Sequence, residues 1–219
     1  MRAATADPEP RAAVAGAAAR RALDLALAAC ALAVLALPML VIAALIRLDS
    51  PGPALFRQRR IGLNRRSFTF VKFRTMRVGV SDAPLRELIA RELAGEDASS
   101  NGSWKLDADA RVTRVGAVLR RTSLDELPQL LNVLAGSMSL VGPRPCLDWE
   151  AEMFPPVYAA RFEVLPGLTG LWQVSGRSTM GTLEMLDLDL RYVSSRSLRG
   201  DLVILLRTIP ALLGRDGAR

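Results

Sequence analysis

The stretch Ala22 to Ile46, ALDLALAACALAVLALPMLVIAALI, is a 25-residue apolar run broken only by Asp24 and Pro38. A helix needs about 20 apolar residues to cross a bilayer. The run meets that length, exceeds the apolar region of a signal peptide and lacks a convincing cleavage site. Both flanks are basic. Arg11, Arg20 and Arg21 precede the run, and Arg47, Arg57, Arg59, Arg60, Arg65 and Arg66 follow it. Positive charge is retained on the cytoplasmic side, so the rule wants both flanks there. Two topologies are open: an ordinary spanning helix with its basic leader outside, or a helix kinked at Pro38 that enters and leaves by one face.

On the N-terminal side, residues 1–21 are Ala-rich with Pro8 and Pro10, a composition that predicts a mobile or surface-lying leader. On the other side, 47–219 is long enough for one cored catalytic domain facing the cytosol. Asp49-Ser-Pro-Gly-Pro53 reads as a turn, after which Ala54–Gln58 and Ser67–Phe73 form a short β-hairpin around Gly62-Leu-Asn64. Leu85 to Ala94 has helical periodicity, and Gly95 to Gly102 is a polar loop. Leu198 to Leu213 is a helix with a broad apolar face, suited either to the lipid headgroup layer or to a core. The fold class is therefore α+β and mainly helical.

Half of the 219 residues are hydrophobic, yet the net charge is +7. A membrane surface and anionic ligands, rather than nucleic acid, fit that combination. Only Lys72 and Lys105 among 29 basic residues are lysines, so the charge is nearly all guanidinium, which grips phosphate bidentately. Histidine is absent, which removes the usual general base, the usual zinc ligand and every Ser-His or Cys-His arrangement. Two separated cysteines, Cys30 and Cys146, suggest neither a disulfide framework nor a zinc cluster. Chemistry is left to carboxylates, arginines and a hard metal ion.

Those groups concentrate in Arg120 to Pro145, RRTSLDELPQLLNVLAGSMSLVGPRP. Ser123-Leu-Asp-Glu126 has the form of a capping box. Pro128 would then fall inside the helix, where it deletes a backbone bond, and it is better placed as the first helical residue. A helix starting there sets Asp125 and Glu126 just ahead of a positive helix end, which favours anions. One acid would then attack or activate while the other orients a divalent ion or water. Mg²⁺ held by the pair, with Arg120, Arg144 and Arg177 as phosphate clamps, would screen repulsion from a diphosphate. Each arginine taken alone has an equally simple reading as a surface ion pair. Gly142-Pro-Arg-Pro145 and Pro166-Gly-Leu-Thr-Gly170 read as rigid turns, and Trp172 as either a stacking platform or core filling.

Taken in order, Pro53 to Gly62, Phe70-Val-Lys-Phe-Arg-Thr-Met76, Arg120 to Pro145, Pro166 to Arg177 and Leu188-Asp-Leu-Arg-Tyr192 resemble the bacterial sugar transferases, the monotopic phosphoglycosyl transferases. The resemblance covers roughly Arg21 to Leu213. It implies a monotopic protein of the cytoplasmic (inner) membrane, with a Pro-kinked re-entrant helix over 22–46, membrane-surface amphipathic helices and a site at the cytosolic face. It also implies transfer of a sugar-1-phosphate, from a UDP-hexose to polyprenyl (undecaprenyl) phosphate, with release of UMP, at the start of exopolysaccharide or other glycoconjugate assembly. The family's acid dyad falls on Asp125 and Glu126. Asp125 would carry the phosphosugar as a covalent aspartyl intermediate, and Glu126 would help hold Mg²⁺. One departure is Leu37-Pro38 where some members have Ser-Pro. The minimal, single-hairpin form is expected, with homo-oligomerisation left open.

Overall fold

The computed structural model describes residues 9–77, 83–95, 111–176 and 180–213. Helix α1 runs from Glu9 to Asp49 as one element and continues through Pro38. The leader expected over 1–21 is therefore helical from Glu9, and its last residues are tied to the body. Arg20 Nε donates to Asp201 at 2.9 Å, and Arg21 donates to the carbonyls of Val133 and Leu134 at 2.7 and 3.0 Å. The apolar run also carries a built-in polar clasp. Asp24, buried inside it, accepts from Ser139 Oγ at 2.8 Å and from the Leu140 amide at 2.9 Å. At the other end, Asp49 accepts from the Val115 amide at 3.0 Å. Between these points Val34, Leu37, Leu40 and Val41 are exposed.

The expected hairpin is present. Strand β1, Leu55–Ile61, pairs antiparallel with β2, Ser67–Phe73, in the register Leu55 to Phe73 and Ile61 to Ser67. Helix α2 spans Ala83–Leu93 and matches the periodicity read there. The polar loop expected over 95–102 lies outside the described residues beyond Gly95. Helix α3, Arg114–Thr122, starts at a Thr113 cap that accepts from the Gly116 amide and ends at Ser123, whose φ of 56° turns the chain. A single 3₁₀ turn, Leu124–Glu126, leads to α4, Gln129–Leu134. The capping box does not form: Ser123 makes no side-chain cap on that turn and closes α3 instead. Pro128 stands at the cap position of α4, one residue before its expected place.

Strand β3, Ser139–Val141, pairs parallel with β4, Gly167–Thr169. Between them lie α5, Asp148–Met153, and a 3₁₀ segment, Pro156–Phe162. The chain closes with α6, Leu171–Ser175, α7, Thr182–Ser194, and α8, Leu198–Leu213. The main core gathers Phe70, Leu130, Val133, Met138, Val141, Tyr192 and Ile204 around Ala28 of α1. A second cluster packs Ile46 of α1 on Phe73 and Leu119. Both halves of α1 are thus built into one body. Helix α8 turns Asp201 and Ile204 inward and leaves Leu202, Leu206 and Ile209 exposed, so it is neither a fully buried core helix nor a solvated one.

Candidate active site

The Leu124–Glu126 turn has too few residues to bury an apolar face, and its position follows from the helices on either side. Gln129, Leu130 and Val133 of α4 anchor one end and Leu119 of α3 the other. Asp125 and Glu126 are thereby held at a cleft of about 450 Å³ whose walls come from β1, β2, α2, α3, the Arg144 turn, α5, the 3₁₀ segment after it, α6 and α7. Asp125 is buried at 8% exposure, while Glu126 is half-buried. Glu126 Oε1 accepts from Arg144 Nη1 at 2.8 Å.

Five cations line the cleft with the acids: Arg60, Lys72, Arg120, Arg144 and Arg161. Burial raises the Asp125 carboxyl above its ordinary range, the Glu126 charge adds to that, and Lys72, Arg144 and Arg120 oppose it. Lys72 is pushed down to about 8, mainly by burial, with Asp125 pulling the other way. Burial likewise lowers Arg60. Arg144 is raised because the Glu126 carboxylate stabilises its charge. Burial also raises the Cys146 thiol in the cleft wall, which keeps it protonated and a poor nucleophile.

The Arg144 turn is set by backbone packing. The Gly142 amide donates to Thr169 O at 2.9 Å, and the Gly167 amide donates to Pro143 O at 2.8 Å. A Cβ on Gly142 would stand 2.4 Å from Leu165 O, so only glycine allows the two motifs to close. Beneath the turn, Arg161 Nη2 donates to Arg144 O at 3.0 Å and to Asp189 Oδ2 at 2.8 Å. This pair is fully buried, with Arg161 stacked over Phe154 and Phe162 at 5.0 and 5.2 Å.

Of the residues expected from sequence, Asp125, Glu126, Arg120 and Arg144 meet in the cleft, whereas Arg177 lies outside the described residues. Trp172 lines the cleft, half-buried, with Nε1 lacking a hydrogen-bond partner among the described residues. Sequence reasoning missed Arg60, Lys72 and Arg161. A signal existed for Lys72, one of two lysines in an arginine-dominated chain, at an alternating position of a strand. None existed for Arg161, whose role depends on contacts with residues 17 and 28 positions away.

No group of three or more acidic or cysteine side chains suited to a metal occurs among the described residues. Two adjacent carboxylates suit Mg²⁺, which commonly takes one or two protein carboxylates and completes its shell from substrate phosphates and water. They do not suit zinc.

A family model described as bacterial sugar transferase matches residues 15–215. The chain is 43% identical over 199 residues to the exopolysaccharide production protein ExoY of Rhizobium meliloti, covering 90% of this chain and 86% of that protein. It is 46% identical over 208 residues to a UDP-glucose:undecaprenyl-phosphate glucose-1-phosphate transferase of Caulobacter vibrioides, covering 91% and 71%. Identity is 43% over 167 residues with an undecaprenyl-phosphate galactose phosphotransferase of Salmonella typhimurium, covering 76% of this chain and 35% of that protein.

Proposed function

The chain belongs to the bacterial sugar transferase family, and from that premise we propose that it moves a hexose-1-phosphate from a UDP-sugar to polyprenyl (undecaprenyl) phosphate, with release of UMP. The reaction starts exopolysaccharide or other glycoconjugate assembly. The observation that carries this reading is the buried Asp125 beside Glu126, facing Lys72, Arg120 and Arg144 in one cleft. Such a site draws in a diphosphate and presents a carboxylate oxygen to phosphorus.

In the first step an Asp125 Oδ attacks the sugar-bearing phosphorus. The bond from that phosphorus to the bridging oxygen breaks, and UMP leaves with the oxygen and its electron pair. In the second, a phosphate oxygen of the polyprenyl acceptor attacks the same phosphorus and frees the Asp125 carboxylate, giving a lipid diphosphosugar. Arg144, Lys72, Arg120 and Arg177 oppose the charge on the phosphate oxygens, the last on the reading of its sequence position alone. Glu126 holds the Arg144 guanidinium in place. Asp125 and Glu126 would hold Mg²⁺, which supplies neutralisation of diphosphate charge.

The acceptor's lipid character calls for a site at the membrane, and α1 supports a monotopic placement on the cytosolic face of the inner membrane. Asp24 near one end of the apolar run and Asp49 just past the other both bind the same body, which supports both ends of the run lying on one side. The outward apolar residues between them would enter one leaflet. The exposed row Leu202, Leu206 and Ile209 of α8 suits the headgroup layer.

The deciding experiment supplies the purified chain in nanodiscs with undecaprenyl phosphate, Mg²⁺ and a panel of UDP-hexoses. UMP release with one donor is expected, together with retained radiolabelled sugar phosphate on the protein when acceptor is withheld. Release of UDP instead would replace the proposal with direct glycosyl transfer.

A further inference from the structure

Trp172 and Gln173 face the active-site cleft, but Leu171 just before them borders a second recess of about 340 Å³. It lies where the end of α7 meets the first turns of α8. Its polar wall is Ser195, Arg196, Ser197, Arg199 and Arg207, and no acidic side chain lines it. Asp201, the acid of α8, is 5% exposed and turned inward, where it is held by Arg20 and the Tyr192 hydroxyl, each at 2.9 Å. None of the three arginines forms an ion pair among the described residues. Arg196 lies against the Tyr192 hydroxyl, and its buried Nε has no hydrogen-bond partner among the described residues. Unpaired guanidinium charge gathered in a recess selects an anion, and its fork geometry favours phosphate.

The apolar wall separates a lipid from a free ion. Val203 and Ile204 line the recess, and Leu202, Leu206 and Ile209 of the same helix stand 43%, 68% and 59% exposed. A cationic pocket continuous with an unpartnered apolar helix face matches an anionic head joined to hydrocarbon. A soluble phosphate would use the arginines and leave the leucines unused.

We propose that the Arg196–Arg199–Arg207 recess binds the phosphate headgroup of an anionic glycerophospholipid whose acyl chains run along the outer face of α8. The site is distinct from the catalytic cleft and holds no group able to transfer phosphate. Its role is to fix the body against the bilayer. The inference rests on α8 lying at the membrane surface.

The test uses the full chain in nanodiscs of phosphatidylcholine with rising fractions of phosphatidylglycerol. Native mass spectrometry reads bound lipid, and a fluorophore at Ile209→Cys, in a Cys30→Ser/Cys146→Ala background, reads quenching by doxyl lipids. Wild type should retain phosphatidylglycerol over phosphatidylcholine. Arg199→Gln and Arg207→Gln, both exposed positions, should each weaken that preference about fivefold, equivalent to about 1 kcal/mol per charge near an anionic membrane. Quenching without a lipid preference, or a preference untouched by either substitution, overturns the inference and leaves the membrane placement of α8 intact. Absence of quenching removes that placement and the inference with it. Displacement of the lipid by equimolar inorganic phosphate would assign the recess to a soluble anion and overturn the lipid.

Discussion

Asp125 is held where its ionised form, the form that would attack in the proposed reaction, is the disfavoured one. Its folded pKa is raised above the unfolded value, so ionisation costs stability at neutral pH and protonation in acid relieves that cost. Asp125→Asn should therefore abolish UMP release, by about 10³-fold or more, while raising Tm at pH 7. A gain of ~1 kcal/mol corresponds to about 2–4 °C for a chain of this size. Retained UMP release would remove Asp125 as nucleophile. Lys72 shifts the other way, from 10.5 unfolded to about 8 folded. Between these values the unfolded chain binds more protons, so stability rises with pH across the window in which the Lys72 charge is lost. The pH profile of kcat/KM should fall through about 8. In Lys72→Met that limb should vanish and the rate at pH 7 drop about 10²-fold. Persistence of the limb in the variant would assign it to another group.

At the scale of elements, the Arg144 turn is only as firm as its support. Gly142→Ala forces a Cβ onto the Leu165 carbonyl, and overpacking of this kind costs about 1–3 kcal/mol. The turn should shift, with kcat reduced more than Tm. Arg161→Met leaves Asp189 buried and uncompensated, a loss of about 3–5 kcal/mol. Arg161→Met/Asp189→Leu removes both charges and should recover most of the Tm measured by thermal melt. Activity should stay low, because nothing then holds the Arg144 carbonyl. Recovery of both would reduce Arg161 to a packing residue.

For the whole molecule, the double attachment of α1 makes a topological prediction. In a background without Cys30 and Cys146, Ala18→Cys and Arg57→Cys should both react with a membrane-impermeant maleimide from the cytosolic side only. Opposite-side labelling would mean that α1 spans the bilayer. The clasp predicts more: Asp24→Leu makes the run more apolar, yet it strips Ser139 Oγ and the Leu140 amide of a buried acceptor. That change should destabilise the catalytic body by about 1–3 kcal/mol, seen as increased protease sensitivity.

Local physics made several features legible in the residues themselves. A 25-residue apolar run with a single acid has to leave water, alternating β-formers about Gly62 have to pair, and adjacent acids ahead of Pro128 have to sit at a helix start. Local reading also failed locally. The capping box gave way because Ser123 adopts a left-handed turn that ends α3, a conformation set by how α3 and α4 each pack on α1. The leader became helix because Arg20 and Arg21 found partners more than a hundred residues away. Composition and periodicity thus predicted a membrane-associated chain with its chemistry left to carboxylates and arginines, and motif order pointed to the sugar transferase family to which it belongs. Tertiary structure alone decided which cations face Asp125, what holds Arg144 from below, and that both ends of the apolar run close on one body. Those outcomes depend on side chains meeting across long sequence separations, and no window along the chain contains both partners.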